Sequence, residues 1–260
     1  MNSRPPLVDV AHDAYGVTGV ARVTLNRPDA FNALSDALLD ELQSALDALA
    51  GSDARVVVIA AAGRAFCAGH DLKEMRANPS HDYYAQLFAR CSKTMLTIQR
   101  MPQPVIARVH GVATAAGCQL VAACDLAVAA DTARFAVSGI NLGLFCSTPA
   151  VPLSRNVSRK AAFEMLMTGE FIDAHTARRE GLVNRVVSAD ALDAAVSALA
   201  TSICAKPRDA VRVGKQLFYR QLEMGAEAAY QLAGQTMACN MMADCALDGV
   251  QAFIDRRGAK

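Results

Sequence analysis

Two glycine-bearing stretches of this chain carry the residues that chemistry on a carbonyl oxygen would need. In FCAGHDL, Ala68-Gly69-His70-Asp71 leaves an apolar run, and Gly69 permits backbone angles or a close ligand approach that a β-carbon would forbid. In HGVATAAGCQL, Gly111 turns out of a second apolar run, and Ala115-Ala116-Gly117 opens a helical pattern whose first N–H groups lack partners within the helix. A helix start favours negative charge through those N–H groups and its dipole. Two such donors converging on one oxygen would form an oxyanion hole. The same glycines also suit two tight turns of a layered fold with no chemistry attached. Nearby carboxylates read as structural. Asp71 and Asp125 suit bonds to local backbone N–H groups, and Glu74, one helical turn beyond His70 and able to reach it, suits a helix start.

A layered frame is needed to position these stretches. VARVTLNRP (Val20–Pro28) reads as a strand ending in a turn at Arg27-Pro28. LSDALLDELQSALDALAG reads as a helix with Leu38, Leu42, Leu46 and Leu49 on one face, Ser35 as N-cap and Gly51 as the C′ residue. RVVVIAAAG (Arg55–Gly63) is the continuous apolar run expected of a fully buried strand. Lys73–Arg100 reads as helical, PQPVIARVHG as a strand, and LAVAAD as another strand after a small-residue helix. This rhythm predicts an α/β fold, too irregular in period for a true repeat.

Beyond Phe145 the character turns helical, with Asp173 as a cap and Gly181 ending a helix before the strand-like LVNRVV. A boundary near residues 195–205 divides a core of residues 1–200 from a helical region of residues 201–260, whose exposed apolar faces suit subunit packing. Residues 1–10 read as a frayed lead-in.

Composition sets outer limits. Hydrophobic residues make up 53% and charged residues 20%, as in a globular rather than a disordered chain. A net charge of +1 gives no electrostatic reason to expect nucleic acid or an anionic membrane as partner, though a local basic patch for a phosphorylated ligand is compatible with it. Cys67, Cys91, Cys118, Cys124, Cys146, Cys204, Cys239 and Cys245 form no C-x-x-C pair and read as buried free thiols in a reducing compartment, so no metal is expected. MNSRPPLVDV lacks the apolar core of a signal peptide and no stretch approaches a membrane span, so the expectation is a cytoplasmic protein. No G-x-G-x-x-G follows the first strand, which argues against a dinucleotide-binding fold.

Five strings, LNRPDAFNAL, FCAGHDLKEM, VHGVATAAGCQLVAACDLAVA, TARFAVSGINLGL and TARREGLVNRVV, resemble in order the landmarks of the enoyl-CoA hydratase/isomerase (crotonase) family, from about Val20 to the C-terminus. The resemblance implies a crotonase-like spiral of β-β-α units with a helical C-terminal region for oligomerisation or as a lid, packed as a homotrimer or homohexamer. It implies a lyase or isomerase of fatty acid metabolism acting on an acyl-CoA ligand, with coenzyme A entering as part of the substrate and no cofactor bound permanently. The two oxyanion donors then fall on His70, which follows Ala68-Gly69, and Ala116, which precedes Gly117-Cys118. Arg27 matches a position where members often place a cation near coenzyme A, Lys73 is a second basic candidate, and Asp71 lies in the same ligand-holding loop.

The sequence departs from this pattern where protons would move. Hydratases of the family use two glutamates. The first position is Gln119 here, which can hold a water but cannot accept a proton, and the second is Gly139, which has no side chain. Some isomerases place a carboxylate at the position of Ser147. General acid–base work needs a titratable group, so ordinary hydration is not expected. The His70 imidazole is one replacement, its ordinary pKa suiting neutral pH, unless it merely fills space beside the acyl chain. Cys146 and Ser147 are candidate nucleophiles or water holders, and Cys118 reads as packing. Two readings follow: an enzyme working through a thioester enolate, and a non-catalytic acyl-CoA binder or structural subunit.

Overall fold

Parallel strands joined by helical crossovers build most of the chain, in a computed structural model that describes residues 5–258. Val-, Ile- and Ala-rich runs supply β1 (Val8–Ala11), β2 (Val20–Leu25), β3 (Val56–Ala61), β5 (Val105–Val109), β7 (Leu126–Ala130) and β10 (Arg185–Val187), side by side in that order. The β1–β2 pair is antiparallel and the remaining pairs are parallel. Every residue of β3 is buried, as a strand covered on both faces requires. A second sheet holds β4 (Ala65–Cys67), β6 (Val112–Thr114), β8 (Arg134–Ala136) and β9 (Ile172–Asp173). Three times the chain runs one strand through the large sheet and the next through the small one: β3 to β4, β5 to β6, β7 to β8. This is the expected crotonase-like α/β spiral.

The lead-in expected over residues 1–10 ends in β1, and its first four residues lie outside the described ones. Helix α1 (Asp36–Ala50) buries Leu38, Leu42, Leu46 and Leu49, and the Ser35 hydroxyl accepts from Leu38 N–H at 3.2 Å. Gly51 is not the left-handed C′ residue expected: it holds φ −89 at the C-cap, a conformation open to any residue. The single helical run expected over Lys73–Arg100 is two helices, α2 (Leu72–Ala77) and α3 (His81–Arg100). Pro79 lacks an N–H, and Ser80 instead caps α3 by accepting from Tyr83 N–H. Helix α4 (Ala116–Ala123) buries all its residues. It is followed by α5 (Ser147–Asn156), α6 (Arg159–Thr168) and α7 (Ala174–Glu180). Asp173 caps α7 through Thr176 N–H, and Gly181 ends it at φ 96.

Helix α8 (Leu192–Cys204) lays Leu192, Val196 and Ala200 on the outer face of the large sheet. The residue-200 boundary falls inside this helix. Then come α9 (Arg208–Leu222), α10 (Ala226–Met241) and α11 (Asp244–Gly258). Lys215 is the buried residue of α9, and α10 buries none. No helix among the described residues is long and apolar enough to cross a membrane.

Candidate functional site

Beyond β4 the backbone is pinned to the segment that precedes α1. Ala68 N–H donates to Phe31 O (3.0 Å), Leu34 N–H to Gly69 O (2.7 Å), and Asp71 N–H to Leu34 O (3.3 Å). This one-residue bridge uses the peptide groups on either side of His70. The His70 N–H itself has no acceptor among the described residues. At the start of α4, Ala115 is held at φ 51, ψ −120, off the favoured regions for a residue with a β-carbon, and its N–H donates to Ala136 O. No side chain caps α4, so the Ala116 and Gly117 N–H groups are likewise open.

Two glycines let these segments meet. At Gly69 (φ 93), a β-carbon would sit 2.9 Å from Ala115 Cβ and 3.3 Å from Ala116 N. At Gly117, a β-carbon would run into the Cys67 carbonyl. The His70 loop and the α4 N-terminus thus pack closely against one another.

Both segments wall a cavity of about 260 Å³, with Ala68, His70, Ala115 and Ala116 on one side. Leu72, Met75 and Phe88 close another side, and Gly139, Cys146 and Ser147 with their neighbours complete it. No Asp or Glu is among the wall residues. His70 packs edge-on against Phe88 at 5.5 Å, and both its ring nitrogens are buried without a partner. Burial lowers its pKa from 6.5, outweighing the opposing pull of the Leu34 backbone and the Asp36 carboxylate, so the imidazole is neutral at neutral pH. Burial pushes the Cys146 thiol up, against the Gly139 N–H that donates to its sulfur at 3.3 Å. Ser147 is exposed, its hydroxyl turned to Phe145 O.

The remaining candidates divide. Gln119 is buried with its Oε1 unpartnered, but it is not a wall residue. Cys118 is packing, its thiol pushed by burial to about 12. Arg27 is engaged within the protein: its guanidinium meets the Asp71 carboxylate at 2.7 Å and donates to Ala33 O at 3.1 Å. Asp71 caps α2 by accepting from Lys73 and Glu74 N–H. Burial raises the Asp71 pKa, but Arg27 and those two N–H groups outweigh it and hold the carboxyl below its usual range. Glu74 accepts from Asp36 N–H at 2.9 Å, at the start of α1, and makes no bond to His70. Lys73 is exposed. Among the described residues no group of His, Cys, Asp and Glu suits a metal.

Sequence reading missed the apolar walls. Leu72, Met75 and Phe88 come from α2 and α3, and Leu142, Leu144 and Phe145 form an apolar loop that stays 67%, 47% and 39% exposed. The signal was present there, since three neighbouring large apolar residues seldom face water without a partner.

The enoyl-CoA hydratase/isomerase family model matches residues 16–260. A solved enoyl-CoA hydratase of Mycobacterium smegmatis is 63% identical with TM-score 0.94, over 96% of this chain and 97% of that one. The human enoyl-CoA hydratase domain-containing protein 3 structure is 43% identical with TM-score 0.92, over 96% of this chain and 98% of that one. The mouse protein of that name, described as mitochondrial, is 46% identical over 240 residues, 92% of this chain and 80% of its own length. The rat and human relatives are likewise named mitochondrial, which overturns the cytoplasmic expectation. The physical reason is that a missing apolar segment argues only against secretory signals. Mitochondrial import reads amphipathic, Arg-rich segments instead.

Proposed function

The chain belongs to the enoyl-CoA hydratase/isomerase family, and from that membership we propose that its apolar cavity binds an acyl-CoA thioester and stabilises negative charge on the thioester oxygen. The observation that carries this reading is that two wall residues with open N–H groups, His70 and Ala116, come from segments that pack closely at Gly69. Fixed backbone donors in a site of low polarity stabilise an enolate or tetrahedral oxyanion without reorganising as the charge develops. The apolar walls, with Phe88 and Met75, take the acyl chain, and coenzyme A enters as part of the substrate.

Hydration by paired carboxylates has no groups to run on. Gln119 does not titrate, Gly139 has no side chain, and the hydroxyl of Ser147 is neutral. His70 is the wall residue whose charge changes nearest neutral pH, and we assign proton transfer during turnover to its imidazole. A second reading is a non-catalytic acyl-CoA binder or structural subunit. The sealed ring nitrogens of His70 and the carboxylate-free wall favour it. The apolar faces of α9 and α10, where Phe218 is 56%, Tyr230 82% and Met237 71% exposed, suit subunit packing in a homotrimer or homohexamer.

Crotonyl-CoA added to the purified protein tests the proposal. The expected result is binding by calorimetry without hydration, and turnover of another thioester found by screening a panel. Hydration in the usual enzyme range, about 1–1000 per second, would overturn the expectation that hydration needs the paired carboxylates this wall lacks. Binding of the whole panel without turnover would select the non-catalytic reading. Absence of binding would sink both.

A further inference from the structure

The wall of the cavity is apolar where α2 and α3 line it, through Leu72, Met75 and Phe88. It turns polar beside the small sheet, where Ser138 stands just past the end of β8. The Ser138 hydroxyl lies 2.8 Å from the Thr114 hydroxyl on the neighbouring strand β6. Each hydroxyl carries one proton, and their mutual bond uses one of the two. Neither hydroxyl has a further partner among the described residues, and both residues are half-buried rather than sealed. One hydrogen-bonding function of the pair is therefore left over, on a cavity wall.

Strand register sets this pair close to the open N–H groups. Thr114 stands opposite Ala136 in the parallel pairing of β6 and β8, and Ala115 N–H donates to Ala136 O at 3.0 Å. The segment from Ala136 to Ser138 thus runs beside the turn that carries Thr114 into Ala116, at a strand spacing of about 4.8 Å. Thr114 also borders the other open segment, since a β-carbon on Gly69 would lie 3.2 Å from Thr114 O. The two hydroxyls belong to the oxyanion end of the cavity, and the apolar helices to its far side.

We propose that the Thr114–Ser138 pair selects acyl groups carrying an uncharged oxygen on the acyl β-carbon, a hydroxyl or a keto group, over plain hydrocarbon chains. The inference rests on the acyl-CoA reading of the cavity. Thr114 donates to Ser138, and the Ser138 proton goes to the ligand oxygen, a chain in which each bond strengthens the next. Thr114 is then a positioning residue for Ser138. A hydrocarbon chain in the same place would leave the Ser138 hydroxyl desolvated with its proton unpaired, a penalty that falls only on ligands lacking the oxygen. The wall carries no Lys, Arg, Asp or Glu, so it has no charge to offer a carboxylate, and the oxygen it takes is neutral.

Calorimetric titration of the full chain with β-hydroxybutyryl-CoA and with butyryl-CoA, which differ only in that oxygen, tests the inference. The oxygenated thioester is expected to bind about two- to tenfold more tightly, the worth of one hydrogen bond. Ser138→Ala should bring the ratio of the two affinities close to unity. Thr114→Val, which keeps the shape and removes the hydroxyl that positions Ser138, should shrink the ratio, and Thr114→Ser should keep it. A bond that served only to tie β6 to the chain after β8 would change stability or both affinities together and leave the ratio alone. Equal binding of the two thioesters by the wild type overturns this inference and leaves the acyl-CoA reading standing. So does a ratio that survives in Ser138→Ala, or in Thr114→Val should Ser138→Ala not fold. Binding of neither thioester overturns the acyl-CoA reading, and this inference with it.

Discussion

The sulfur of Cys146 stands in the space that a side chain on Gly139 would need. A β-carbon at position 139 would lie 2.7 Å from Cys146 Sγ and 2.6 Å from the Leu144 carbonyl oxygen, both well inside contact distance. The Gly139 N–H is turned onto the same sulfur. Position 139 is therefore closed by packing to every side chain, glutamate included, by the segment that follows it.

Introducing a carboxylate there should accordingly fail. Gly139→Ala is expected to cost about 1–3 kcal/mol through overpacking, and Gly139→Glu more, with no gain of crotonyl-CoA hydration in either. Adding Cys146→Ala to Gly139→Ala should recover part of the loss, a coupling of about 0.5–3 kcal/mol in urea unfolding. Strict additivity of the two changes would show that the sulfur does not close the position.

Gly69 separates the two open N–H groups from a steric block. Gly69→Ala would place a methyl 3.3 Å from Ala116 N, at a φ of 93 that strains alanine. Loss of one oxyanion donor typically lowers turnover by about 10²–10³. The variant should show a loss of that order on whichever thioester the protein turns over, or weaker acyl-CoA binding if it turns over none. Wild-type affinity and rate in a folded variant would remove the oxyanion hole from this cavity.

What could be read in advance depended on how far apart the partners lie. The Ser35 and Asp173 caps were legible because an oxygen meets an N–H three residues on. The convergence at Gly69 and Gly117 was legible because each glycine has a local reason to be there. Arg27 looked like a free cation because its partner Asp71 arrives from a different β-α unit. Nothing in the local sequence announces that Cys146 fills the space at Gly139, or that Lys215 reaches a carboxylate 90 residues away. The break at Pro79 carried its signal openly, and helical composition on both sides obscured it.

Stability should depend on His70 in mildly acidic solution. Burial lowers its folded pKa below the 6.5 of the unfolded chain. As pH falls through about 6.5 the unfolded chain takes up a proton that the folded protein refuses, so stability declines with falling pH. His110, its Nε2 set 2.8 Å from Gly63 O, is lowered chiefly by burial and adds a slope of the same sign. Asp71 acts lower on the scale, its depressed pKa giving stability that is lost as pH falls below about 3.8. His70→Gln should flatten the fall in urea midpoint between about pH 7 and pH 5, leaving the His110 part. An unchanged slope would mean that His70 finds a partner or solvent in solution.

Helix α9 reaches into the core with one buried charge. Lys215 Nζ on α9 donates to Ile98 O and Gln103 O, each at 2.7 Å, and meets Asp125 Oδ2 at 2.6 Å. Asp125 also accepts from Val105 N–H at 2.6 Å and from the Tyr219 hydroxyl at 2.7 Å. Lys215→Met would leave a buried carboxylate and two carbonyls without their cation, at a cost of about 3–5 kcal/mol. Replacing both charges, in Lys215→Met with Asp125→Leu, removes the uncompensated charge and should recover much of that loss, because a buried pair contributes little net stability over apolar residues of similar volume. Since α9 leads into α10 and α11, the single variant should also show faster proteolytic cleavage after Pro207, while the double variant resists it more. A Lys215→Met protein within about 0.5 kcal/mol of wild type in urea unfolding would mean that α9 is held by its other contacts and that the ion pair is incidental.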